Sequence, residues 1–320
     1  MRHGLLRFLL RRIASGILLV LLVSSAALVL TRLAPGDASA FESGRTAAAA
    51  ERERSCADCP LLQQYALWLS RGIRLDLGES NRFKRPVAEL LQDRVGKTAA
   101  LGLSAMALAT LIGIPAGVLT GSRKGGAFST VARATSLLLL STPSLVTSLV
   151  LLLVAVRTGV LPAGGLARVP SDAGLVEAVL LRLRHLVLPS LALALPIAAS
   201  LERLQSRAMA EALKEPSILA ALARGVPQRR VVWRHAFRLS LKPVLAIYGI
   251  IVASALSGSF AVEIVMSWPG LGDLMYEALK ARDVFLVAGC AATGSFFLAA
   301  GILASDIALF AIDPRIEQQT

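Results

Sequence analysis

A few residues along the chain have types and spacings that could do chemistry. Gly96-Lys97-Thr98 carries the closing residues of a phosphate-binding loop, but the position five residues before Gly96 holds Leu91 where the pattern needs glycine. No nucleotide site is expected there. Cys56-Ala57-Asp58-Cys59 is a C-x-x-C that could close a small disulfide or offer two thiolates to a soft metal. No second C-x-x-C and no histidine cluster exists to complete a metal set, so the disulfide is favoured and no metal site is expected. The only histidines are His3, His185 and His235, too few for a histidine-lined metal path. Glu202, Asp306 and Glu263 would make a proton relay if they lay deep in an apolar medium. They sit near the ends of apolar runs, where solvated or paired carboxylates are expected.

The elements that must position these residues are read from composition. The chain has 320 residues, 55% of them hydrophobic and only 17% charged. Its mean hydropathy is +0.66. The charges cluster between long apolar stretches, which is the pattern of a multi-span membrane protein. Six stretches are long enough to cross a bilayer, at about 9–31, 98–121, 134–156, 186–207, 243–263 and 285–311. Each must be a helix, because open strand edges cannot be satisfied in hydrocarbon. Aromatics are 5% of the chain, so packing must rely on Leu, Ala, Val, Gly and Ser. Gly113-Ile-Pro-Ala-Gly117 is compatible with a close helix contact, though such a match is common by chance in a Gly-rich chain. Pro115, Pro143, Pro189 and Pro196 fall in or near these spans and are tolerated there, with kinks expected. The apolar run Ile13–Leu30 is longer than a signal peptide's core of roughly 7–15 residues, so it is expected to be a retained first span. Cys290 falls in an apolar stretch and is expected to pack as a small hydrophobe.

The net charge of +13 sits at span ends, which excludes a nucleic-acid face as its main purpose. With the N-terminus in the cytoplasm, the inside segments hold 17 Lys and Arg and the two short outside loops hold 6. Both termini are therefore expected in the cytoplasm. The chain divides into the tail and first span (1–31), a long outside loop (32–97) and a membrane core (98–320). The loop's start, Ser43 to Arg54, is expected to be mobile.

Within the core lies a basic cytoplasmic segment, 208–242. Pro216 starts a short helix, Gly225 and Pro227 stop it, and a second basic helix is expected from Arg229 to about Ser240. Such a pair could dock into a partner's groove and lie at headgroup level, as a lever between partner and membrane. It could equally be an ordinary amphipathic connector.

Here a resemblance becomes specific. Ala220-Ala221-x-x-x-Gly225 resembles the coupling loop of bacterial ABC importer permeases, and Arg229-Arg230, Arg234-His235-Ala236 and Pro243 resemble its form in the dipeptide/oligopeptide/nickel permease family, first-subunit type. Further motifs run along nearly the whole chain. They include Leu9-Leu10-Arg11-Arg12, Pro35-Gly36-Asp37, Asp76-Leu77-Gly78-Glu79-Ser80, Arg85-Pro86-Val87 and Gly159-Val-Leu161-Pro162. Ser267-Trp268-Pro269-Gly270-Leu271-Gly272, Ala281-Arg282-Asp283 and Asp313-Pro314-Arg315 complete the series. Two positions depart from the pattern. Leu219 stands where the general loop motif has glutamate, and Pro216-Ser217 where the family often has an acidic-aromatic pair. A contact made through that acidic side chain is left open.

The resemblance implies an all-α integral membrane fold with six spans, in the type I importer architecture, with a periplasmic loop after the first span. It implies a pathway subunit in the bacterial inner membrane, with no catalytic residues and no cofactor of its own. ATP and magnesium would be bound by two partner ATPase subunits touching Pro216, Leu219, Ala220, Ala221, Arg224, Gly225, Arg229, Arg230, Arg234 and His235. A second homologous permease subunit, a solute-binding protein outside and membrane lipid are the other implied partners; nucleic acid is not. Peptide is the leading solute class, with nickel and other small solutes also found in the family. Two rivals stand beside this. A stand-alone proton-coupled transporter would work through Glu202, Glu263 or Asp306. A membrane enzyme would need paired catalytic groups that the spans are too poor in ionisable residues to supply.

Overall fold

The computed structural model describes residues 2–33, 63, 70, 76–80, 82–122, 126–167, 170, 172 and 174–312. Cys56, Cys59, Asp313-Pro314-Arg315 and most of the 32–97 loop lie outside the described residues. Among the described residues the regular structure is helical, apart from one bridge between Glu79 and Pro86. The helices are α1 (Arg2–Leu33), α2 (Val87–Ser122), α3 (Ala127–Ser141), α4 (Ser144–Thr158), α5 (Leu175–Ala212), α6 (Pro216–Ala223), α7 (Gln228–Arg230), a π-helical turn (Val231–Ala236), α8 (Phe237–Ala246), α9 (Tyr248–Val265), α10 (Leu271–Lys280) and α11 (Val284–Ile312). Five are long and apolar enough to cross a membrane, and six spans result if α3 and α4 count as one.

The third span differs from the straight helix expected over 134–156. It breaks at Thr142-Pro143, and α4 leaves α3 at a bend of 110°. Pro143 has no N–H to continue the ladder, and it forces the preceding residue out of the helical region. Thr142 accordingly sits at φ −100, ψ 121. Its hydroxyl donates to the Leu139 carbonyl at 2.9 Å, which replaces one lost bond. Pro115, Pro189 and Pro196 stay inside unbroken helices.

Other helices are longer than their apolar cores. α2 begins at Val87, well before residue 98, and α5 runs from Leu175 to Ala212, beyond both ends of 186–207. The first turns of α2 are amphipathic: Val87, Leu90 and Leu91 are buried, while Arg85 pairs with Glu89 at 3.3 Å and with Asp93 at 3.4 Å outside. The fifth span starts at Tyr248, after a helix boundary at Ile247, not at residue 243. α10 occupies what was expected to be plain loop. Its Leu271, Leu274 and Ala278 recur at helical spacing and are buried.

α2 and α5 form the stem of the bundle. Leu101, Ala105, Ala109, Gly113 and Gly117 recur every fourth residue on α2, and all are buried. A Cβ on Gly113 would lie 2.8 Å from Leu201 Cβ, one on Gly117 2.6 Å from Gln205 Cβ, and one on Gly121 2.9 Å from Met209 Cβ. The G-x-x-x-G match is therefore a real close approach, and Gly121 extends it by another turn. α1 packs on α11, where Arg12 Nε meets Asp306 Oδ2 at 2.7 Å.

Three apolar clusters divide the length of the bundle. The central one joins α2, α5, α8 and α9 around Leu101, Leu193, Leu201 and Trp268. One at the far end joins α2, α10 and α11 and includes buried Cys290. One at the basic end joins Val118 and Met209 to α6 and the π turn.

Candidate coupling site and the two ends of the bundle

The basic end starts where α5 finishes at Ala212. Three residues later Glu215 is the N-cap of α6, with Pro216 in its first turn, where the missing N–H costs nothing. α6 ends in a complete Schellman motif. Val226 N donates to Ala221 O at 3.2 Å, and Gly225 N to Leu222 O at 2.9 Å. Gly225 has φ +79, and nothing lies within 4 Å of where its Cβ would be. The position thus demands glycine for its backbone conformation and not for space. Val226 packs back on the cluster that holds Ala221, the apolar contact that accompanies this motif.

The second helix starts at Gln228 and continues to Ala246, past the expected end near Ser240, with the π turn inside it. Phe237 N reaches back to Val232 O, the i→i−5 bond of a π helix. The wider turn puts Val231, Val232 and Ala236 together on the buried side. Trp233, Arg234 and His235 are left outside.

This sorts the ten candidate residues. Ile218 and Ala221 are buried against Val118 of α2 and Met209 and Ala212 of α5. Burying an isoleucine side chain contributes about 1.5–3 kcal/mol, so this small core can fix α6 on the stem. Pro216, Leu219, Ala220 and Arg224 face outward, and Leu219 is 53% exposed. Arg224 Nε also donates to Ala220 O at 3.2 Å, closing the last turn of α6. Arg229, Arg230 and Arg234 line a shallow recess with Pro227 and Trp233. Trp233 is held by Phe237, ring centroid to ring centroid 6.1 Å. Ala221 alone among the ten is an anchor and not a surface residue.

The far end is built on polar bonds. Glu263, fully buried on α9, accepts from Thr98 Oγ1 of α2 at 2.8 Å and from Gly272 N of α10 at 2.6 Å. Thr98 Oγ1 in turn accepts from Leu271 N at 2.7 Å. Two of the free N–H groups at the start of α10 are thereby met by side chains of two other helices. Gly272 is forced by this packing, since its Cβ would lie 2.6 Å from Phe260 Cα. Trp268 Nε1 donates to Lys97 O at 3.1 Å. Lys97 and Thr98 are thus mid-helix residues with structural partners, and their neighbourhood is no phosphate cradle.

A second buried carboxylate repeats the device. Asp283 Oδ1 accepts from Leu286 N at 3.1 Å, capping α11, while its Oδ2 accepts from Ser80 Oγ at 2.6 Å and Arg82 N at 3.2 Å. Ser80 lies in a tight turn where Val87 N also donates to Gly78 O at 3.0 Å. Arg94 and Asp273 pair at 3.0 Å beside it. None of these bonds was expected from the residues themselves. The only sequence signal was that Gly78-Glu79-Ser80, Trp268-Pro269-Gly270-Leu271-Gly272 and Arg282-Asp283 belong to one motif series. Of the three carboxylates weighed for a proton relay, Asp306 meets Arg12 as a paired group, but Glu263 and Glu202 are buried and not solvated: Glu263 is bonded as described, and Glu202 accepts from Thr120 Oγ1 through one oxygen only.

The apolar helical bundle, the small-residue stem and the separate basic end define a multi-span membrane protein. Residues 113–318 match the family described as "binding-protein-dependent transport system inner membrane component", and the chain belongs to that family. It is 31% identical to the oligopeptide transport system permease protein AppB of Bacillus subtilis (strain 168), over 97% of this chain and 99% of that one. It is likewise 31% identical to the oligopeptide transport system permease protein OppB of Mycobacterium tuberculosis (strain H37Rv), over 97% of this chain and 98% of that one. A putative peptide permease protein of Brucella suis biovar 1 (strain 1330) is also 31% identical, over 98% and 99% of the two chains. The chain is therefore a multi-pass inner-membrane permease component of an ABC importer.

Proposed function

We propose that this permease forms the pathway for peptides, together with a second homologous permease subunit, and that two separate ATPase subunits drive it. The ATPases bind ATP and magnesium, and a solute-binding protein outside delivers the peptide. Both termini lie in the cytoplasm, as the excess of Lys and Arg on that side supports. The basic end is then the cytoplasmic end, and α6 is the element on which the ATPase pushes.

One observation carries the coupling role. α6 has a buried face locked to α2 and α5 through Ile218 and Ala221, and an exposed face of Pro216, Leu219 and Ala220. A force applied to the exposed face passes to the stem without an intervening flexible joint. Leu219 makes the contact apolar where related loops carry glutamate. The peptide assignment rests on the relatives named above.

The test is uptake of labelled peptide into proteoliposomes holding all subunits, with ATP supplied on the ATPase side. A cysteine placed at Leu219 is expected to cross-link to an ATPase subunit. Uptake driven by a pH gradient alone, or failure of the chain to co-purify with any ATPase, would reject the proposal.

A further inference from the structure

Between α3 and α5, at the basic end, lies a recess of about 310 Å³ that no part of the coupling mechanism uses. Arg133, Arg203, Arg207, Ser206, Leu137 and Glu202 are among its walls. Glu202 is only 3% exposed. Its Oε1 accepts from Thr120 Oγ1 at 2.5 Å. Its Oε2 is buried with no hydrogen-bond partner among the described residues. A buried carboxylate oxygen left unmet is costly, and a small rotation of the Glu202 side chain toward the recess would let it take a donor from outside the chain.

The surroundings narrow the donor. Arg133 gives one N–H to the Thr120 carbonyl at 3.0 Å, which fixes its guanidinium at the recess. With Arg203 and Arg207 it supplies three permanent cations around a single carboxylate. A simple cation is repelled by the three guanidiniums, and a simple anion, though drawn by them, leaves Glu202 Oε2 without a donor. A zwitterion whose N–H-bearing cationic tip adjoins an anionic group satisfies both. Along α3 the apolar surface continues from the recess uncovered: Leu137 is 51% exposed, Leu138 70% and Val131 64%. That surface suits an acyl chain, and the arginines mark the depth of the headgroup layer.

We propose that this recess binds a phospholipid with a primary-amine headgroup, of the phosphatidylethanolamine type. The phosphate lies among Arg133, Arg203 and Arg207, and the ammonium donates to Glu202 Oε2. The proposal rests on the membrane setting of the chain and not on the identity of the solute.

The experiment is lipid binding to the detergent-purified transporter, followed by native mass spectrometry and thermal shift. The probes are phosphatidylethanolamine, its mono-, di- and trimethylated headgroup forms, and phosphatidylglycerol. Each methyl removes a donor, so affinity is expected to fall along the series. The primary amine should bind about tenfold more tightly than the trimethylated form, the scale of one charge-assisted hydrogen bond. Glu202→Gln should shrink that difference, and Arg133→Ala should weaken all members of the series alike. Equal binding of the primary and trimethylated forms by the wild-type protein would overturn the proposal, as would phosphatidylglycerol binding as tightly as phosphatidylethanolamine. Displacement of the lipid by a free tripeptide would assign the recess to solute instead. If Glu202→Gln fails to fold, the methylation series on the wild-type protein still decides.

Discussion

The two ends of the bundle are held by different chemistry. At the far end, buried Glu263 and Asp283 each take hydrogen bonds from neighbouring helices or turns, and Thr98 relays one of them. At the basic end, α6 rests on a small apolar patch of Val118, Met209, Ala212 and Val231. Directional bonds around a carboxylate admit one arrangement, because any other leaves buried polar groups unmet. An apolar patch holds through covered area, with no directional bond to set one arrangement. The far end is thus fixed by directional bonds, and the basic end by apolar packing. Damage at the far end should cost stability and uptake together, while damage on the outer face of the basic end should cost uptake alone.

Glu263→Ala is the strongest test of that contrast. It leaves Thr98 Oγ1 and Gly272 N without their acceptor in a buried site. Leaving two buried donors unmet costs about 1–3 kcal/mol each, so the purified transporter should show a clear fall in unfolding temperature. Uptake should fall with the amount of assembled protein, and Thr98→Val should show a weaker version. A Glu263→Ala protein as stable as wild type would remove the far-end lock from the account.

How much of this was legible beforehand depends on the distance over which residues cooperate. The spans and the short helix of the basic segment show in local signals: long apolar runs, the arginine-rich 224–238 stretch, and Pro216 and Gly225 at the two ends of an eight-residue helix. The far-end lock does not, because Thr98 and Glu263 are 165 residues apart and neither stands out alone. The break at Pro143 was equally hidden. Four span prolines look alike in sequence, but Pro143 alone among them follows a threonine, whose backbone N–H and hydroxyl both donate to the Leu139 carbonyl. Helix lengths were underestimated where an amphipathic turn, such as Val87 to Leu91, extends an apolar core beyond the membrane depth. α10 was visible in principle through the spacing of Leu271, Leu274 and Ala278, but its ten residues are too few to register as a span.

The stem between the two ends comes next in expected effect. Gly117→Leu forces a side chain against Gln205 Cβ, which would lie 2.6 Å from the first added carbon. Overpacking of that kind costs about 1–3 kcal/mol and should splay α2 from α5. Gly102, on the same helix with nothing within 4 Å of its Cβ position, is the control. Gly102→Ala should be neutral or stabilising by up to about 1 kcal/mol. Equal stability of the Gly117 and Gly102 variants in a melt would refute the tight stem.

Gly225 tests the turn that ends α6, the proposed coupling helix. At φ +79 an alanine is disfavoured by about 1–2 kcal/mol, confined to one turn. Gly225→Ala should therefore barely move the unfolding temperature, yet reduce peptide uptake by tilting α6. Gly225→Asn, which accepts a left-handed backbone more readily, should recover part of the uptake. If Ala and Asn behave alike, the conformational reason for glycine is wrong.

The smallest effect on the fold, and the sharpest on the contrast, is expected at Leu219. Its side chain is 53% exposed and belongs to none of the apolar clusters among the described residues, so Leu219→Arg should leave stability within about 0.5 kcal/mol. Two residues along, Ala221 is 7% exposed and packs on the stem, so Ala221→Leu should destabilise the basic end by overpacking. Co-purification with the ATPase separates the two. Leu219→Arg should release the ATPase from an otherwise intact membrane subunit, because an unpaired cation replaces the apolar contact. Ala221→Leu should weaken the attachment only through a displaced α6. Leu219→Glu, which supplies the acid of the loop pattern this segment resembles, decides what the departure means. If it binds the ATPase as well as wild type, the partner surface still offers a cation to that acid. If it fails as Leu219→Arg does, the partner surface has become apolar to match Leu219, and the two chains have changed together.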